Sequence, residues 1–153
     1  MANFTFNISK GRAVELYNRV QTNDPAASRL SLVVVNTSAT DATLKDLDTL
    51  SAVLADANTA EVTNTNYARI HLADTDLSAF TTDDTNDKNV LDAADQTWSA
   101  ISAGDAWTDI IICYDPLGTN VDANMVPLSQ HDFAVTPDGS DIVATIANFF
   151  EAS

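Results

Sequence analysis

A chain of 153 residues with 22 acidic against 7 basic side chains carries a net charge of −15, a field that repels phosphate backbones and argues against nucleic acid as a partner. The length suits one domain able to bury about 70% of its unfolded surface. A hydrophobic share of 45% is enough for a real core and excludes wholesale disorder.

All but three of the acids are Asp, and Thr, Asn and Ala are abundant. Asp and Asn favour turns, whereas Thr suits strand faces, so many loops joining strands are expected. A lone Cys113 inside Ile110-Ile111-Ile112-Cys113-Tyr114 excludes an intrachain disulfide framework and reads as an inert buried thiol. The first residues hold neither a basic n-region nor a long apolar run, and no stretch approaches ~18 consecutive apolar residues. The expectation is a protein made and kept in the cytosol of its producing cell, with no membrane contact.

Phe4, Phe6 and Ile8 alternate with polar residues, which predicts a strand with one buried face and an apolar arm over residues 1–9. Ser9 reads as the N-cap of a helix over 10–22, with Ala13, Leu16 or Tyr17, and Val20 on one side until Asn23-Asp24-Pro25 stops it. Leu30 to Val35 is a continuous apolar run, the pattern of a central strand covered on both faces. Leu44, Leu47, Leu50 and Leu54 fall on one stripe of a helix over 43–55.

Residues 67–72 alternate as a strand, and the stretch 74–89 is too acidic to bury, so it is expected to be surface loop with at most a short turn at 77–80. Weaker strand signals at 90–94 and 97–101 precede a strong one at 107–114, ended by Asp115-Pro116-Leu117-Gly118. Residues 133–146 predict a β-hairpin around Pro137-Asp138-Gly139. Phe149 and Phe150 then form an apolar tail over 147–153. Without repeat or linker the chain reads as one domain, 1–153. Its expected class is mainly β, a sandwich or barrel-like sheet pair with one or two peripheral helices, the alternative being mixed α+β.

No catalytic residue or cofactor is expected. His71 and His131 lack a second His or Cys at zinc-site spacing and read as structural. His131-Asp132 has the order of a base and its orienting carboxylate, yet no Ser stands in a Gly-x-Ser-x-Gly elbow. Asp pairs are too numerous to signal a glycosidase, and the four scattered glycines form no phosphate loop. Asp83, Asp84, Asn86 and Asp87 make a weak calcium candidate that lacks the EF-hand glycine and distal Glu, so a solvated Asx-rich turn is the preferred reading. Trp98 and Trp107 would suit a sugar-binding face, although core or subunit-contact roles are commoner for strand tryptophans.

The sequence resembles a family of tailed-bacteriophage virion structural proteins. The likeness is carried by Met1-Ala2-Asn3-Phe4-Thr5-Phe6-Asn7-Ile8-Ser9-Lys10-Gly11-Arg12 with Glu15 to Val20, by Asn64 to Arg69, by Asp83 to Asp87, and by Val126 to Asp141. Relatives of that kind are expected to hold a basic residue where Glu151 follows Phe149-Phe150, so a contact made there by a cation is in doubt here. The resemblance implies a non-enzymatic part of the virion, assembled in the host bacterial cytoplasm. A capsid decoration or cement protein that bridges major capsid subunits is the first expectation, as a homo-oligomer with a trimer favoured. A neck or tail component, or a displayed carbohydrate-binding module, is the alternative. In this reading Phe4, Phe6, Ile8, Phe149 and Phe150 are the expected contacts with other virion chains.

Overall fold

The computed structural model describes residues 2–78, 81–146 and 150–152, with Thr81, Glu151 and Ala152 described by their backbone alone. The chain is mainly β, as expected, and all strand pairs among the described residues are antiparallel. In chain order the strands are β1 (Phe4–Thr5), β2 (Arg29–Thr37), β3 (Thr59–Glu61), β4 (Ile70–Leu72), β5 (Thr81–Asp83), β6 (Lys88–Leu91), β7 (Gln96–Trp98), β8 (Trp107–Asp115), β9 (Val126–Val135), β10 (Ile142–Ala144) and β11 (Phe150–Ala152). The helices are α1 (Ala13–Gln21), α2 (Asp41–Lys45) and α3 (Leu50–Leu54).

A six-stranded sheet in the order β1-β9-β8-β2-β3 forms the centre, with β4 sharing the outer edge of β2 beside β3. The apolar run of β2 explains its place. Leu30, Leu32 and Val34 point to one face and Val33 and Val35 to the other, and all five are buried. On the first face they join Ile110, Ile112 and Tyr114 of β8 beneath α1 and two small sheets, β10-β7 and β11-β6-β5. On the second face Ile111 and Cys113 of β8 meet Leu44, Leu50, Val53 and Met125 together with Phe4 and Phe6. Each fully buried aliphatic side chain contributes about 1.5–3 kcal/mol, so two complete cores hold this sheet.

Four local expectations are corrected. Ser9 does not cap α1: Arg12 occupies that position without a side-chain bond, while Ser9 ends a 3-10 turn and donates its hydroxyl to the Pro127 carbonyl at 2.6 Å. The cause is Phe6, whose burial and N–H bond to the Leu128 carbonyl turn Ser9 inward against β9. The helix expected over 43–55 is broken into α2 and α3, because Thr49 takes extended backbone and its hydroxyl accepts from Ala52 N at 3.1 Å. Side chains that bond their own backbone compete with helix continuation.

The hairpin expected over 133–146 does not form. β9 ends at Val135 paired to β8, whereas β10 pairs with β7 in a separate sheet. The turn residues instead dock on the chain before β8: Gly139, at φ +102°, donates its N–H to the Ile101 carbonyl, and Ile101 N donates to Ser140. The loop expected over 74–89 contains a 3-10 turn, Asp74–Asp76, and then the β5-β6 ladder. Cross-strand pairing overrides polarity there because one side of β6, at Leu91, still reaches the first core. Sequence patterning also passed over β3 and the start of β9, where Pro127 sits at a register shift opposite Cys113. A bulge is one of the few strand positions that tolerate Pro.

Candidate functional site: a polar network and the loop it holds

The β8–β9 connection, residues 116–125, folds back over the sheet edge made by β2, β3 and β4. Arg69, just before β4, is the centre of the contact. Its guanidinium takes both carboxylate oxygens of Glu61 on β3, with Nε to Oε1 at 2.8 Å, and reaches Asp122 Oδ1 at 2.6 Å and Asn120 Oδ1 at 3.0 Å. Tyr67 donates its hydroxyl to Glu61 Oε1 at 2.9 Å and accepts from Val34 N at 3.0 Å. A planar guanidinium satisfied on both edges in this way fixes orientation as well as charge.

Asp115, at the end of β8 and fully buried, does the same from the other side. It accepts from Arg29 Nε at 3.2 Å, Asn120 N at 2.9 Å and Leu117 N at 3.3 Å. Burial pushes its carboxyl up, but these N–H groups and the Arg29 charge outweigh burial and hold it below the usual range. Gly118 closes the turn at φ +64°, where a Cβ would lie 2.5 Å from the Ala27 carbonyl oxygen. The result is a preordered loop that displays Leu117 at 56% and Val121 at 47% exposure.

Acid–base chemistry is not assembled here. The Glu61 hydrogen bonds raise the Arg69 pKa, burial raises that of Tyr67, and burial lowers that of His71. At neutral pH the Arg69 guanidinium is therefore charged, and the Tyr67 phenol and His71 imidazole beside it are neutral. His71 Nδ1 lies 2.8 Å from Ser31 Oγ, but Ser31 is fully buried, so this cross-strand pair offers no reachable nucleophile. His131 likewise bonds Ser129 Oγ through Nε2 at 2.9 Å, and burial lowers its pKa. It borders a cleft of about 260 Å³ whose walls include Leu32, Ile110, Phe133 and Ile146.

The expected contact residues lie elsewhere than anticipated. Phe4 and Phe6 are buried in the chain's own second core and are not offered to partners, whereas Ile8 is half-buried beside that core. Phe149 falls outside the described residues; Phe150 pairs with Leu91 across the β11-β6 ladder and packs on the first core. Trp98 and Trp107 are also buried, their rings 5.3 Å apart in an edge contact, which is the core role preferred for them over a sugar-binding face. Asp83 holds an Asx turn: its carboxylate accepts from Thr85 N, Asn86 N and Asn86 Nδ2, and the Asn86 side-chain bond is the first cause of its lowered pKa. Asp84, Asn86 and Asp87 are exposed, and no group of three or more His, Cys, Asp or Glu among the described residues is placed to hold a metal. Cys113 is buried, which pushes its thiol pKa up.

Arg69, Glu61 and Asp122 carried no local signal for this contact, because their meeting depends on strand order, and Asp115 was legible only as the start of the turn that ends β8. Comparison with protein-family models, with curated proteins and with solved structures finds no match for this chain.

Proposed function

We propose that this chain is a non-enzymatic structural protein of a tailed-bacteriophage virion, and most specifically a capsid decoration protein that bridges major capsid subunits as a trimer on the mature head. The observation that carries this reading is the 116–125 loop, whose part-buried ionic network presents Leu117 and Val121 to solvent. A surface ordered before its partner arrives loses less entropy on binding. Burying two such side chains is worth about 1.5–3 kcal/mol each before association costs. That is too little for one contact, so engagement at many lattice points is part of the proposal. The net charge of −15 favours basic capsid surfaces, and the resemblance of the segments from Met1 to Arg12 and Val126 to Asp141 to virion proteins supports the same reading.

Quantified mass spectrometry of purified virions tests it. Many copies per head are expected, whereas a few per particle would move the chain to the neck or tail. A Leu117→Ser, Val121→Ser double variant should melt like the parent, because both side chains are exposed, yet fail to be recovered on particles. Absence of the parent from purified virions sinks the reading.

A further inference from the structure

Asp109 on β8 and Gln130 on β9 are 1% and 0% exposed on the second face of the sheet. Gln130 Nε2 donates to Asp109 Oδ1 at 3.0 Å. The other two oxygens, Asp109 Oδ2 and Gln130 Oε1, are both buried without a donor. Leaving two buried acceptors without a donor is costly, and exchanging the amide oxygen and nitrogen does not cure it, since a carboxylate offers no hydrogen and the amide oxygen stays without one either way. One proton resolves both defects, since a carboxylic acid and a carboxamide have complementary edges.

The pair also lies under the amino-terminal strand. Phe4 is the ladder partner of Gln130, and Phe4 and Phe6 share the second core with Ile111, which is the partner of Gln130 on β8. Only two residues of β1 join the ladder, supplemented by Phe6 N to the Leu128 carbonyl and Asp132 N to Asn3 Oδ1. We propose that Asp109 is held as the neutral carboxylic acid, paired edge to edge with the Gln130 carboxamide, and that loss of this proton unlatches the amino-terminal strand. In that step Oδ2–H gives its proton to water, its bond to Oε1 breaks, and a carboxylate oxygen is left against an amide oxygen.

The surroundings agree. Burial is the first cause raising the Asp109 pKa; the nearby Thr108 hydroxyl, which donates to the Val35 carbonyl at 3.1 Å, the Gln130 amide and the charge of the chain's amino terminus lower it, and the Asp132 charge, directly opposite on β9, raises it. On β2 the facing residue is the uncharged Val35. From α2, Lys45 stands over the Phe4 ring at 5.0 Å and Asp41 accepts from Ala2 N.

Carbon-detected NMR titration of the Asp109 carboxyl, with trypsin cleavage at the exposed Lys10 and Arg12, tests the proposal. Asp109 should titrate above the exposed Asp residues. Cleavage, normalised to an unstructured peptide with the same sites, should accelerate by up to about tenfold per pH unit through that titration, the response of one linked proton. Asp109→Asn restores a donor toward Gln130 Oε1, so its cleavage should be slower and flat with pH. An Asp109 carboxyl that titrates with the exposed ones overturns the neutral acid. Cleavage that follows pH alike in parent and variant overturns the latch, and the titration on the parent stands even if the variant does not fold.

Discussion

Asn64 illustrates how much one uncharged side chain carries in this fold. It is 7% exposed; its Oδ1 accepts from Trp107 Nε1 at 2.9 Å, and its Nδ2 donates to the carbonyls of Ser102 and Asp105 at 3.1 Å. Those bonds orient Trp107 within an aromatic group in which Trp98 meets it edge-on at 5.3 Å and Tyr67 at 5.8 Å. Asn64→Ala leaves the indole N–H stranded in the first core, and its expected cost is about 2 kcal/mol. Urea unfolding measures this directly; a midpoint equal to that of the parent would show that the indole finds another acceptor. Nothing in the local pattern of Asn64-Thr65-Asn66 marks the first Asn as the buried one, since its partner stands 43 positions away.

At the level of elements, the short helices are products of their neighbours. Five residues cannot stay helical alone, because nucleation outweighs so few hydrogen bonds. α3 persists because Thr49 caps it, Leu50 N donates to the Met125 carbonyl, and Leu50 and Val53 are fully buried. Thr49→Ala should lower the unfolding free energy by about 1 kcal/mol, with the loss concentrated in amide exchange of residues 50–54. Uniform exchange protection in that variant would mean packing alone suffices. The leucine stripe was legible, since Leu44 and Leu50 do enter a core, but the break between α2 and α3 was not. Periodicity reports which side chains are apolar and is silent on where a Thr turns extended.

For the whole molecule, pH response collects the buried groups. Burial lowers the pKa of both His71 and His131 below the ordinary imidazole value. As pH falls below about 6.5 the unfolded chain binds protons that the folded chain refuses, so stability contributed above that value is lost. Asp115, held low, adds a second loss as pH falls below the ordinary Asp range. The thermal midpoint should therefore drop between pH 7 and pH 5 more in the parent than in His131→Gln. That difference isolates the imidazole from the opposite contribution of Asp109, whose raised pKa favours the folded state at low pH. Equal drops in the two proteins would place the sensitivity elsewhere.

The sequence by itself determined the β-rich class, the two-faced central strand at Leu30 to Val35, the deep strand at 107–114, the helix around Leu16 to Val20 and the Asx turn at Asp83. These features are written in periods of two and three to four residues, or in a side chain bonding its own backbone, and they need no distant partner. Only the tertiary structure decided that Phe4 and Phe6 turn inward, that β9 and β10 join different sheets, and that Arg69 meets Asp122 across 53 positions. Such outcomes follow from which strand edges pair and which polar groups would otherwise be buried alone, and those quantities exist only once the chain has folded back on itself.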